Sequence, residues 1–178
     1  MKKLTTLFSL VFLVLFASSC KNEKSLQSYL VESSGKDGFF TGDLPVGSLL
    51  TAKADVSDEV TETLKSIKKI NVAFLRKTDD NTAAYETEKA ILKNIFTSKT
   101  YKSLGVVKAK GMSMKVYFTG NTDSLNEVIV FGYSKEAGVG VARLLGDNMN
   151  PAKVIEMMNS VNLDGSRLES FSTIFKGK

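Results

Sequence analysis

Few side chains in this sequence could carry covalent or metal chemistry, and the rarest of them is a single thiol. The 178 residues include one cysteine, Cys20, and no histidine. Without histidine, the Ser-His-Asp and Cys-His arrangements of many hydrolases are excluded. Zinc, copper and haem sites usually draw on histidine or cysteine ligands, so we predict no metal centre and no cofactor. An enzyme would have to work with carboxylates, lysine, tyrosine or serine alone.

The residues directly before Cys20 indicate what its thiol does. Leu15–Phe16 close an apolar run, and the small residues Ala17–Ser19 lead to the cysteine. This pattern resembles the lipobox of bacterial lipoproteins, although Ala17 stands where leucine is commonest. The resemblance implies that diacylglycerol is attached to the thiol, that the chain is cut before Cys20, and that the new amino terminus is acylated. Several acyl chains would anchor the protein stably, whereas a single chain anchors only marginally.

The segment in front of the lipobox is typical of a secretory signal peptide. Met1–Lys3 is positively charged, and Leu4–Phe16 consists mostly of Leu, Phe and Val. An apolar run of about 13 residues is shorter than the roughly 20 residues needed to span a bilayer. We therefore read residues 1–19 as a signal peptide that is cleaved before Cys20, rather than as a transmembrane anchor. The alternative is an ordinary secreted protein with a stray cysteine near the cleavage site.

The charge balance gives little reason to expect nucleic acid as a partner. The formal net charge is +5, and cleavage would remove the positive charges of Lys2 and Lys3. A weakly basic protein in a secreted compartment is not typical of nucleic-acid binding, so we predict none. The predicted partners are the membrane, reached through the lipid on Cys20, and an envelope protein.

Two pairs of charged residues are candidate site residues. Arg143 and Asp147 flank a predicted strand end just before a helix start, where they would pair with each other or form a pocket rim. Glu86 and Glu88 would suggest acid-base catalysis if they converged. Side chains two residues apart on a helix point in different directions, so we interpret both acids as part of a solvated face.

Hydrophobic periodicity predicts the elements that would position these residues. A period near 3.6 predicts four helices, and a period of two predicts five strands, four of them consecutive in a meander. The segment Gly38–Gly47 is interpreted as a loop, because Pro45 interrupts any regular element. The predicted helices are 25–34, one starting at Ser57, 83–98, and one from Pro151 to near Val161. The predicted strands are 70–75, 104–109, 112–119, 126–133 and 139–145.

These elements predict a single domain of the α+β class. We expect an antiparallel β-sheet meander of four to six strands, with helices packed mainly on one face. Strand 126–133 is apolar on both faces, which is typical of a central strand. The predicted organisation is a signal peptide at 1–19, the lipidated Cys20 and a tether through residue 24, one domain at 25–161, and a C-terminal tail at 162–178.

Six segments of the chain carry a resemblance to known proteins: Ser25–Leu30, Leu64–Ala73, Tyr85–Lys89, Val116–Phe118, Glu127–Gly132 and Arg143–Pro151. Together they resemble a family of small lipoproteins from Bacteroidota, catalogued as domain of unknown function 4252. The resemblance covers roughly Ser25–Val161 and supports the lipoprotein interpretation of Cys20. It carries over no catalytic residues, since none are established for the family. In some bacteria of this type, an acidic run after the cysteine directs lipoproteins to the cell surface. The tether Lys21–Lys24 has one acid and two lysines, which favours anchoring on the periplasmic side of the outer membrane.

Three functional hypotheses follow from these observations. The first is a lipid-anchored interaction or binding module of the cell envelope that is not an enzyme. The second is a carrier of a small apolar ligand, which requires a continuous apolar cavity between sheet and helices, on the order of several hundred Å³. The third is a hydrolase built on carboxylates, which requires two acids that converge in one cleft with separated pKa values.

Overall fold

The computed structural model describes residues 24–44, 50–52, 57–109, 112–122 and 125–163. Residues 1–23 lie outside this description, including the predicted signal peptide and Cys20, and so does the predicted tail from residue 164 onward. The described helices are α1 Leu26–Ser33, α2 Asp58–Ser66, α3 Thr82–Ile95 and α4 Pro151–Ser160. The described strands are β1 Phe39–Leu44, β2 Leu50–Ala52, β3 Ile67–Arg76, β4 Lys102–Ala109, β5 Met112–Phe118, β6 Leu125–Ser134, β7 Gly138–Met149 and β8 Val161–Leu163.

Six of these strands form one antiparallel sheet in the order β1-β3-β7-β6-β5-β4. The α+β class and the meander from β4 to β7 are confirmed. Strand β6 lies in the interior of the sheet, as its apolar faces predicted. The short strands β2 and β8 form a separate two-stranded antiparallel sheet. Strand β8 ends at Leu163, two residues after Val161, where the domain was expected to end.

The helices divide between the two faces of the sheet, which differs from the expectation that most would lie on one face. Alternate side chains of the strands enter two apolar clusters, with Ile70 and Val72 in one and Ala73 and Leu75 in the other. Helices α2 and α4 cover the first cluster, and α1 and α3 cover the second. The physical reason is that central strands with two apolar faces need cover on both.

The helix boundaries follow local capping chemistry. The Ser25 side chain accepts a hydrogen bond from the Ser28 N–H (3.1 Å), and Ser57 accepts one from the Val60 N–H (3.3 Å). The Asn150 Oδ1 accepts from the N–H groups of Ala152 (3.0 Å) and Lys153 (3.3 Å), directly before α4. These side chains satisfy N–H groups that have no partner inside the helix.

The segment Phe39–Leu44 is an edge strand, so its interpretation as a loop was wrong. Its register with β3 is continuous, from Phe39 opposite Leu75 to Leu44 opposite Ile70. Phe39 and Phe40 belong to opposite apolar clusters, as alternation along a strand requires. Pairing with β3 therefore overrides the weak strand propensity of Gly42 and Asp43.

Candidate functional site

The first turn of helix α1 is held against the sheet by packing and by two hydrogen bonds. Leu26 and Tyr29 are buried on the face that α1 shares with α3. The Leu26 N–H donates a hydrogen bond to the Tyr101 hydroxyl (3.2 Å), and the Arg143 Nη1 donates to the Gln27 Oε1 (2.8 Å). The start of α1 therefore has a fixed position relative to the sheet.

An open groove of about 580 Å³ lies between the C-terminal part of α1 and the strands β1 and β3. Helix α1 forms one side of this α1–β1 groove, and β1 and β3 form the rest. Its Val31 is 63% exposed, whereas most large apolar side chains in the described ranges are buried or half-buried. The groove is lined by Leu30, Val31, Ser34, Thr41, Gly42, Asp43, Asn71 and Val72.

The strand side of the α1–β1 groove is polar. The Asp43 carboxylate pairs with the Lys69 ammonium (2.6 Å) and also accepts a hydrogen bond from the Asn71 amide. The hydrogen bond from Lys69, with help from Asn71, lowers the pKa of Asp43 below its ordinary value, because both partners favour the charged carboxylate. The groove thus combines an apolar wall with hydroxyl, amide and carboxylate groups, the mixture that small binding sites use for orientation.

A second polar feature lies beneath α1 and includes Glu88, which the sequence placed on a solvated face. Glu88 is only 7% exposed, so that interpretation was wrong. It shares the buried side of α3 with Tyr85 and Leu92, three and four residues away. Its Oε1 accepts a hydrogen bond from the Lys36 Nζ (3.1 Å). Glu86, by contrast, is exposed as expected and pairs with Lys89 (2.7 Å).

Three buried oxygens in this region have no hydrogen-bond partner among the described residues. They are the Tyr29 hydroxyl, the Ser33 hydroxyl and the Glu88 Oε2, and we call them the buried polar cluster. Burial raises the pKa of Tyr29, and the charge of Glu88 raises it further. The phenol is close enough to Ser33 and Glu88 to be influenced by them, but no hydrogen bond of good geometry joins these groups. Buried polar atoms without a partner cost stability, so these three oxygens are positions where substitution can test the packing of α1.

Arg143 and Asp147 each pair with other residues rather than with one another. The Arg143 Nε donates to the Glu127 Oε1 (2.5 Å) on the neighbouring strand, beside its contact with Gln27. Asp147 forms an exposed ion pair with Lys68, where a β-bulge interrupts the register of β3 and β7. Neither residue lines the α1–β1 groove. Arg143 thus acts as a structural link between α1 and the sheet.

Within the described ranges, no group of three or more acidic side chains is arranged to hold a metal ion. No helix there is long and apolar enough to cross a membrane. Cys20, the predicted lipidation site, lies outside these ranges.

The sequence model of a protein family described as Domain of unknown function (DUF4252) matches residues 31–157, most of the described domain. No curated protein and no solved structure matches the chain.

Proposed function

The chain belongs to the family described as Domain of unknown function (DUF4252), and from this premise we propose that it is a binding module of the cell envelope without catalytic activity. We further propose that lipid on Cys20 anchors it to the outer membrane on the periplasmic side. Its partner in this proposal is an envelope protein, and nucleic acid is not a partner.

The α1–β1 groove is the observation that carries this proposal. It offers an exposed apolar side chain, Val31, beside the polar groups of Asp43 and Asn71. The Asp43 carboxylate forms an ion pair with Lys69 on the neighbouring strand, so the groove presents paired charges beside its apolar wall. A groove with an apolar wall and a few polar groups is the kind of surface that proteins use to bind a partner or ligand.

The position of α1 connects the groove with the predicted anchor. Leu26 follows Cys20 closely in the sequence, and its N–H is held by Tyr101. A chain of this length spans at most about 20 Å, at roughly 3.5 Å per residue. A lipid on Cys20 would therefore keep the groove-bearing helix near the membrane surface, where an envelope partner is available.

The two alternative functions have less support. A carrier needs an apolar cavity between sheet and helices, whereas both apolar clusters are built from buried, contacting side chains and the groove is open and partly polar. A carboxylate hydrolase needs a second acid beside the first. The buried Glu88 instead faces Lys36 and Tyr29.

Labelling with radioactive palmitate tests the anchor. We expect wild type and the matched control Ser18→Ala to incorporate label and to sediment with membranes, because both keep Cys20. Cys20→Ala should do neither. Equal labelling or equal membrane retention of the Cys20→Ala protein would overturn the anchor.

Affinity purification from crosslinked envelope membranes tests the binding role. We expect wild type to recover a specific protein partner that the Cys20→Ala protein, released from the membrane, recovers poorly. A co-purified small apolar molecule in native mass spectra, without any protein partner, would favour the carrier and contradict the proposal.

A further inference from the structure

The two edges of the six-stranded sheet differ in how they are protected. Strand β4, at one edge, carries Lys102 and Lys108, and a bulge between Ser103 and Gly105 interrupts its register. Gly105 has a φ of 150°, within the range that favours glycine. Lysines and bulges are the devices that keep edge strands from pairing with another chain. The β4 edge is therefore built to remain unpaired.

Strand β1, at the opposite edge, has none of these devices. Its six residues contain no lysine, and its register with β3 runs without interruption. The Phe39 N–H donates to the Lys36 carbonyl oxygen (3.2 Å), so it points away from β3. Because backbone groups alternate in direction along a strand, those of Thr41 and Asp43 also point to the open side. In the part of the chain that the structure describes, no other strand pairs with this side.

The α1–β1 groove lies directly beside this open edge. Its lining includes Thr41, Gly42 and Asp43 from β1, together with Leu30 and Val31 from α1. An edge strand next to a helix-walled groove can take an extended peptide, with main-chain hydrogen bonds for affinity and the groove for alternate side chains.

We propose that β1 receives an extended segment of a partner protein as an added strand, and that the α1–β1 groove holds the side chains of that segment. This inference rests on the proposed binding function and names the class of partner. The segment presents an apolar side chain toward Val31. It presents no acidic side chain toward Asp43, because two carboxylates would repel each other across the strand pair.

A matched pair of lysine substitutions tests the proposal in vitro. The probe is a dodecapeptide selected from a phage-displayed random library on the wild-type protein. Thr41→Lys places on β1 the kind of residue that protects β4, and Val106→Lys places the same residue on β4, where Val106 is 58% exposed. We expect Val106→Lys to bind the peptide with the wild-type Kd and Thr41→Lys to bind it at least tenfold more weakly.

Amide chemical shifts locate the bound peptide and guard against a misfolded variant. We expect the wild-type spectrum to change mainly in residues 30–34 and 39–44, while the spectrum of free Thr41→Lys retains the dispersion of a folded domain. Shifts centred elsewhere, equal affinity of both lysine variants, or failure to select any peptide would overturn the proposal. A concentration-dependent dimer that Thr41→Lys abolishes would assign the edge to a second copy of this chain and would also overturn it.

The same substitution separates this inference from the proposed binding function. If full-length lipidated Thr41→Lys loses the envelope partner that wild type and Val106→Lys both recover, strand addition is supported. If Thr41→Lys still recovers that partner, the binding role stands and the strand-addition proposal fails.

Discussion

At the scale of single residues, the informative feature is a buried polar cluster under a short helix. The hydroxyls of Tyr29 and Ser33 and one oxygen of Glu88 are shielded from solvent without hydrogen-bond partners in the described residues. Removing such a group can be neutral or stabilising, whereas removing a paired group costs about 1 kcal/mol. Tyr101 provides the comparison, because its hydroxyl accepts a bond from the Leu26 N–H.

Phenylalanine substitutions at these two tyrosines should therefore differ in their effect on stability. We expect Tyr29→Phe to leave the free energy of unfolding unchanged or to raise it by up to about 1 kcal/mol, and Tyr101→Phe to lower it by about 1 kcal/mol. Urea denaturation of the purified proteins measures both values. A loss of stability in Tyr29→Phe as large as that in Tyr101→Phe would mean that the Tyr29 hydroxyl has a bonding partner after all.

The buried tyrosines also predict how stability depends on pH. Burial raises the pKa of Tyr29, Tyr85 and Tyr117 above the unfolded value of 10.0. A group whose pKa is raised by folding makes its full contribution to the free energy of unfolding at pH values below its unfolded pKa. That contribution is lost as the pH rises from the unfolded pKa through the folded pKa. We expect the free energy of unfolding to fall as the pH rises above 10, and to fall less steeply in Tyr29→Phe. Denaturant titrations between pH 8 and pH 11, in wild type and variant, measure the two slopes; identical slopes would contradict the assignment to Tyr29.

At the scale of elements, close pairing of β3 and β7 depends on glycine. A Cβ atom at Gly140 would lie 2.6 Å from the Ala73 carbonyl oxygen and 2.8 Å from the Phe74 Cα, much closer than side-chain atoms approach backbone. Gly42, on the edge strand β1, has no atom within 4 Å of the same added Cβ. The two positions therefore provide a matched test of strand packing.

We expect Gly140→Ala to lower the free energy of unfolding by about 2 kcal/mol or more, because backbone atoms cannot move aside as a side chain can. Gly42→Ala should change it by less than about 0.5 kcal/mol. Thermal and denaturant unfolding of both variants measures the difference. Equal stability of the two proteins would show that β3 and β7 are not paired in this register.

The sequence was sufficient for the elements whose signals are local. Helices begin close to their predicted starts, after the caps Ser25, Ser57 and Asn150, because a cap depends only on residues within one turn. Strand β1 was missed, because Gly42 and Asp43 give little strand signal and only pairing with β3 makes the segment extended. Glu88 was misplaced for a similar reason, although its helical spacing from Tyr85 and Leu92 was a usable signal.

At the scale of the whole molecule, the distribution of helices and the α1–β1 groove are consequences of assembly. The sequence showed a sheet with apolar faces but did not show which helix covers which face, since this depends on the order β1-β3-β7-β6-β5-β4. The groove forms where α1 leaves β1 and β3 uncovered, and these elements meet only in the fold. Arg143 was selected from sequence, but its partners Gln27 and Glu127 were not visible there.

The molecule as a whole is proposed to present this groove to an envelope partner from a lipid anchor. Photocrosslinking in intact cells tests that claim most directly, with a photoreactive amino acid at Val31 in the groove or at Val106 on the opposite edge, both of them exposed positions. Each is introduced into the chain with Cys20 and into its Cys20→Ala variant. We expect a specific adduct from position 31 in the Cys20 chain, a much weaker one in the Cys20→Ala chain, and none from position 106. An adduct from position 106 alone, or equal adducts from the Cys20 and Cys20→Ala chains, would contradict the claim that the anchored protein presents this groove to its partner.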